Sequence, residues 1–303
     1  MTTSPSTEAA ATTTSGVRKA VFRDQLRLFT GIALPPALVP LAATVRTKHA
    51  WSNPASRAEH VRQMEYLLGC SERAAEVPAL AYGYARYMAL RGELRWHPRL
   101  ITRQRVEGMP VLTGDRDASR GVVLNFMHHG QTDGAWASLR HLGVENLHLM
   151  AVKTALLRDA PASWKQRRKI CELGAVLVPA DLAGTKKTVG LLRRGEIVAI
   201  ASDLPGDVPV TFLGRRVGAA FGAARLAWMT ESPVVQMTAH TGRDGAYMQL
   251  HAPLEPRSFP DAKALLQEML RRFEPAVLAW PEAVELPLSR WTALEPAPAD
   301  DRA

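Results

Sequence analysis

Short apolar runs alternate with stretches of helical spacing along most of the chain. Gly121–Phe126 (GVVLNF), Asn146–Val152 (NLHLMAV), Ala175–Pro179, Glu196–Ala201 and Pro233–Ala239 are the apolar runs. Their length and lack of alternation suit strands buried on both faces. Between them the period changes. From about Thr132, Ala135, Trp136, Leu139 and Leu142 recur at helical spacing. Ser163–Leu173 reads as a basic helix stopped by Gly174, and Thr185–Arg194 as a helix with Val189, Leu191 and Leu192, stopped by Gly195. Phe221–Met229 and Lys263–Trp280 complete the helical set, and Val208–Leu213 is extended. Ala246–Ala252 alternates after an Arg243-Asp244-Gly245 turn and predicts a hairpin partner for the preceding strand. Strands separated by helices predict an α/β fold. Its central sheet is mostly parallel and flanked by helices, with an antiparallel edge near Val234–Ala252.

The first third of the chain reads differently. His60–Leu68 and Ala74–Leu90 carry Met64, Leu67, Leu68, Leu80, Tyr84, Tyr87 and Met88 at three- and four-residue spacing, which predicts an N-terminal helical region. Tyr82, Tyr84 and Tyr87 suit a core stripe better than a pocket lining. Leu28–Val45 contains no charged residue but is interrupted by Pro35, Pro36 and Pro40. A proline-broken helix pair packed on the core is the plainer reading. The alternative is a kinked segment lying on a membrane surface beside the basic residues of Val17–Arg27. The expected organisation is a disordered tail at 1–16, a helical, membrane-contacting region at 17–98, an α/β catalytic core at 99–294 and a second disordered tail at 295–303.

Composition narrows the partners. The chain has 303 residues, a formal charge of +9 and a pI near 9.9. Such basicity favours an anionic partner: an anionic membrane surface, a phosphate-bearing coenzyme thioester or nucleic acid. Aromatic residues make up only 6% and no RNA-binding signature is present, which argues against nucleic acid. Cys70 and Cys171 supply neither a disulfide framework nor a metal pattern. They read as reduced, buried thiols of a cytoplasmic protein, soluble or peripherally associated with the inner face of the membrane.

Candidate chemistry concentrates after the first buried strand, in His128-His129-Gly130-Gln131-Thr132-Asp133. A histidine at a strand end with a carboxylate opening the next helix outlines a general-base dyad, because the carboxylate fixes the imidazole tautomer and raises its basicity. Either His128 or His129 is within reach of Asp133 by spacing alone. Ser202-Asp203 also follows a strand. Asp203 either brings a second carboxylate to the same face as His128 or caps local backbone. His141 and His148 make no metal-ligand spacing, so no metal is expected. No GxGxxG, GxxxxGK[ST] or GxSxG occurs, which removes dinucleotide, P-loop and serine-hydrolase readings. Basic pairs recur at Arg167-Arg168, Lys186-Lys187, Arg193-Arg194 and Arg215-Arg216, mostly as solvated helix faces.

The order of these motifs resembles the glycerolipid acyltransferase superfamily, closest to its lipid A lauroyl/myristoyl and mycobacterial mannoside acyltransferase branch. The His128–Asp133 hexapeptide is similar to that branch's H-F-G-N-W-E. Arg168 through Gly174 to Pro179, Leu192–Ala199 with Asp203, Val210–Gly214, Gly222–Ala227, Thr230–Gln236 and Pro281–Trp291 echo its later segments in order. The resemblance implies acyl transfer from a thioester, acyl-CoA or acyl-carrier protein, to a hydroxyl or amine of a small-molecule or lipid acceptor. No tightly bound cofactor is implied. His128 would be the base and Asp133 its orienting partner. His129, Gln131, Arg168, Asp203, Arg215 and Arg225 would bind substrate. Departures cluster around the pocket: Gln131-Thr132 replaces Asn-Trp, Asp133 replaces glutamate, and Ala283, Val284 and Leu286 replace glutamine and two tryptophans. They imply a changed substrate, as in secondary metabolism, or the same fold turned to elimination, cyclisation or hydrolysis of a small anionic substrate.

Overall fold

The computed structural model describes residues 34–114, 116–152 and 160–294. The two expected tails and the Val17–Arg27 segment lie outside them. A 3-10 turn at Pro36–Leu38 leads into α1 (Val39–Ser52), followed by α2 (Pro54–Leu68) and α3 (Val77–Leu94). Pro35 and Pro36 sit at the turn, and Pro40 is in the first turn of α1. A missing N–H is harmless there because those donors have no intrahelical acceptor. From Leu34 onward the stretch is therefore a proline-started helix. Asn53 caps α2 by accepting the Ser56 N–H at 3.1 Å. In α3, Val77, Ala81, Tyr84 and Ala85 are buried, and so are Arg91 and Glu93 near its end. Tyr84 and Tyr87 are core residues, whereas Tyr82 is exposed edge-on to Trp51. Among the described residues no helix is long and apolar enough to cross a membrane.

The α/β part runs β1 (Arg105–Glu107), α4 (Pro110–Thr113), β2 (Val122–Phe126), α5 (Thr132–His141), β3 (Leu147–Ala151), α6 (Ala162–Glu172), β4 (Val176–Pro179), α7 (Leu182–Arg193), β5 (Ile197–Ala201), β6 (Pro205–Phe212), β7 (Arg215–Ala219), α8 (Gly222–Thr230), β8 (Val234–Gly242), β9 (Gly245–Leu250), α9 (Ala262–Ala279) and β10 (Thr292–Ala293). The main sheet has the order β1-β9-β8-β2-β5-β3-β4. Only β8 and β9 pair antiparallel within it. β6, β7 and β10 form a separate antiparallel sheet.

Every residue of β2 and β5 is buried, as central parallel strands require. Their side chains divide by alternation. Val123, Val198 and Ile200 face a core shared with α2, α3, α9 and the small sheet. Val122, Leu124, Phe126, Ala199 and Ala201 face a second core with Trp136 and Leu139 of α5. Each fully buried side chain of Val or Leu size contributes roughly 1.5–3 kcal/mol. The N-terminal helices thus close one face of the sheet. The register of β2 on β5 pairs Phe126 with Ala201, so whatever follows each strand emerges side by side at the carboxyl edge.

Candidate active site

That register brings His128 and Asp203, each two residues beyond its strand, into contact. His128 Nδ1 lies 2.9 Å from Asp203 Oδ1, and the His128 backbone N–H donates to Asp203 Oδ2 at 2.8 Å. Asp203 is fully buried and the His128 side chain is 14% exposed. With an ionised carboxylate at Nδ1, that nitrogen carries the proton and Nε2 is left as the basic lone pair. Burial lowers the proton affinity of His128, and Asp203 opposes it; the net value lies below the ordinary histidine range. Burial raises Asp203, but His128 and Arg290 outweigh it, so the carboxyl sits below its usual range.

Asp133, the expected partner of His128, turns elsewhere. It occupies the first turn of α5, and its carboxylate meets Arg167 Nε at 2.7 Å, Arg95 Nε at 3.0 Å and Arg91 Nη2 at 3.6 Å. Glu285 joins the same cluster, with Arg95 Nη2 at 2.6 Å, Arg290 Nη2 at 2.7 Å and Arg91 and Arg167 at 3.3 Å. Three guanidinium groups, that of Arg91 buried and those of Arg95 and Arg167 partly buried, outcompete one neutral imidazole for a short aspartate side chain. The place the sequence reading gave Asp133 is therefore filled by Asp203. Burial raises both carboxyls of the cluster, yet the arginines hold Asp133 and Glu285 well below the usual carboxylate range.

The loop between β2 and α5 is fixed by the C-terminal segment. Glu285 N–H donates to the His128 carbonyl at 2.8 Å, and Gly130 N–H donates to the Ala283 carbonyl at 3.0 Å. Gly130 has φ +69°, and a Cβ there would lie 2.4 Å from the Ala239 Cβ. Only glycine fits this left-handed, close-packed position.

A cavity of about 380 Å³ opens beside His128. Phe126, Trp136, Leu149, Trp164, Leu177 and Leu204 give it an apolar wall, while Thr132, Arg95, Asp133, Arg167, Arg168, Glu285 and Arg290 line its polar side. Cys171 also faces it, its thiol pushed up to about 12 by burial.

The remaining sequence candidates fall in different places. Arg168 lines the cavity and pairs with Glu172 at 2.8 Å. His129 is buried with Nε2 2.8 Å from the Trp280 carbonyl, and Gln131 is buried at the start of α5. Neither lines the cavity, because the loop turns them under it. Arg215 donates to the Tyr66 carbonyl at 3.0 Å and stacks on the Tyr66 ring, tying β7 to α2. Arg225 is exposed on α8, away from the cavity. Sequence reading missed Arg91, Arg95, Arg167 and Glu285 as site residues. Arg91 and Arg95 carried a signal: two arginines four apart at the end of an apolar helix share one face. Among the described residues no group of His, Cys, Asp and Glu is placed to hold a metal ion.

Residues 80–292 match the family profile described as bacterial lipid A biosynthesis acyltransferase. The chain belongs to this family. Its chemistry is that of an acyltransferase, and His128 with Asp203 is a buried pair compatible with a catalytic dyad. Among solved structures, the 1-acyl-sn-glycerophosphate (LPA) acyltransferase PlsC from Thermotoga maritima is similar at 13% identity, covering 85% of this chain and 95% of that one, with a TM-score of 0.41. A search of curated proteins finds no match. In this acyltransferase His128 lines a cavity with an apolar wall and a charged side where arginines meet Asp133 and Glu285, a composition suited to substrate groups of unlike polarity.

Proposed function

We propose that the protein transfers an acyl group from a thioester, acyl-CoA or acyl-carrier protein, to a hydroxyl or amine, with His128 as general base and Asp203 as its orienting partner. The observation that carries this reading is the 2.9 Å contact between the Asp203 carboxylate and Nδ1 of His128, which lines the cavity. It leaves Nε2 as the proton acceptor. The acceptor O–H or N–H proton passes to Nε2 as its heteroatom bonds to the thioester carbonyl carbon. The tetrahedral intermediate then expels the thiolate, breaking the C–S bond, and the imidazolium returns the proton to sulfur. The apolar wall accepts the acyl chain.

Within the family, the substitutions at Thr132, Asp133 and Leu286, which line the cavity, support a member of the lauroyl/myristoyl and mannoside branch with a changed substrate. The acceptor is a small molecule or a lipid. A peripheral position on an anionic membrane face is supported by the outer side of the Pro36–Leu38 turn and α1, where Leu38, Leu41 and Val45 are 43%, 60% and 59% exposed. The arginine-lined side of the cavity favours a second reading, elimination, cyclisation or hydrolysis of a small anionic substrate by the same His128.

The test is turnover of purified His128→Ala with an acyl thioester and a panel of alcohols and amines. Activity is expected to fall by about 10²–10⁴ with circular dichroism unchanged. Undiminished acyl transfer would sink the assignment. Conversion of a small anionic substrate without any thioester would favour the second reading.

A further inference from the structure

The catalytic cavity opens at the carboxyl edge of the main sheet. A second cavity, of about 400 Å³, lies at the opposite edge, where β3 and β5 begin. No step of the proposed reaction uses it. Buried Leu112, Val144 and Ile197 give it an apolar wall, and Arg116 and Glu145 line it as well.

Arg116 has an edge to spare. Its Nη1 donates to the Arg120 carbonyl at 3.2 Å and to the Gly195 carbonyl at 3.1 Å, and its Nη2 donates to the Gly195 carbonyl at 3.1 Å. A guanidinium has five N–H donors. The two that remain, Nε–H and the second Nη2–H, share one edge. That is the edge that takes both oxygens of a carboxylate. Carboxylates near Arg116 in the chain or on the cavity wall are engaged elsewhere. Asp117 accepts from Ser119 Oγ at 2.6 Å, and Glu196 meets Arg194 at 3.0 Å and His148 at 2.5 Å. Glu145 is the converse case. It is exposed and forms no ion pair among the described residues. It follows the carbonyl end of α5, which favours positive charge. An unmatched base and an unmatched acid therefore share one cavity without bridging each other.

We propose that this cavity binds a free amino acid with an apolar side chain. The ligand carboxylate takes the open edge of Arg116, its ammonium group meets Glu145, and its side chain rests on Leu112, Val144 and Ile197. A simple anion would leave Glu145 unmatched, and a simple amine would leave Arg116 open. The site is independent of the acyl-transfer reading. It also sits where the dyad strands enter the sheet, because Arg116 ties the turn before β5 to the turn before β2 through the Gly195 and Arg120 carbonyls.

L-leucine is titrated calorimetrically into the full chain as wild type, Arg116→Gln and Glu145→Gln, with circular dichroism on each. Isocaproate, which lacks the amine, and isoamylamine, which lacks the carboxylate, are titrated into the wild type. Saturable binding of leucine is expected, with each analogue weaker by roughly tenfold or more. Each substitution is expected to weaken leucine by a similar factor. Glu145 is exposed and holds no other group, so Glu145→Gln keeps the test decisive even where Arg116→Gln, which releases two carbonyls, fails to fold. No saturable binding of leucine, or isocaproate or isoamylamine binding as tightly as leucine, would overturn the site. Leucine held instead in the catalytic cavity, as an amine acceptor, would bind Glu145→Gln as tightly as the wild type, and that result would overturn it too.

Discussion

Two aspartates compete for one histidine, and their surroundings decide between them. Asp203 holds His128 Nδ1 from a buried position, while Asp133 faces Arg91, Arg95 and Arg167. Asp203→Asn is therefore expected to lower kcat by about 10²–10⁴, because an amide no longer fixes the productive tautomer. Asp133→Asn instead leaves Arg91, Arg95 and Arg167 with Glu285 as their remaining carboxylate, and weakening such a cluster is expected to cost up to about 3–5 kcal/mol of stability. Steady-state rates and denaturant unfolding on both variants check this. A larger kcat loss in a stably folded Asp133→Asn would return the orienting role to Asp133. The pH profile has a sign of its own. Burial lowers the His128 proton affinity, so the acid limb of kcat/KM is expected below the ordinary histidine value of about 6.5. Asp203 raises that affinity; removing its charge moves the limb further toward acid. His128 was legible from its place after an apolar strand. Asp203 was legible only as a carboxylate after another strand, because sequence does not say which strands are neighbours. Asp133 misled because spacing measures reach and is blind to competing arginines.

At the scale of elements, the loop after β2 is not self-supporting. It is held by backbone pairing to Ala283–Glu285 and by the close approach of Gly130 to Ala239 of β8. Gly130→Ala places a Cβ 2.4 Å from another Cβ at φ +69°. Left-handed strain and overpacking together are expected to cost roughly 2–4 kcal/mol. Thermal unfolding should drop by several degrees or more, with kcat reduced because the displaced loop carries His128. A variant as stable and active as the wild type would show that the loop relaxes freely. Most strands and helices here were legible within a few residues, since buried parallel strands are unbroken apolar runs and α5, α6 and α7 stop just before Gly143, Gly174 and Gly195. The clamp was not. Glu285 sits in a short segment between two 3-10 turns, Pro281–Ala283 and Pro287–Ser289, with no periodicity to mark which side faces inward.

On the scale of the whole molecule, the sheet order places β2 beside β5, and the segments that follow these two strands build one acid-sensitive interior with the C-terminal segment that carries Glu285. His129, beside His128, is buried, and burial pushes it down to about 4 against a weaker opposing hydrogen bond to the Trp280 carbonyl. A histidine whose folded value is depressed takes up its proton more readily when unfolded. Its contribution to stability is therefore complete above about 6.5 and is lost as pH falls toward 4. Asp133, Glu285 and Asp203 are depressed as well. Carboxylates depressed by folding lose their contribution only below the unfolded range near 4. The two windows separate the groups. Between pH 7 and 5 the carboxylates stay ionised in both states and His129 titrates only in the unfolded chain. Urea unfolding is expected to show a stability loss of roughly 2 kcal/mol across that interval from His129. His129→Gln, which cannot take up the proton in either state, should flatten this slope while leaving the steeper decline below pH 4. An unchanged slope between pH 7 and 5 in that variant would mean that another group drives it, with His128, His60, His240 and His251, also lowered by burial, the next to replace.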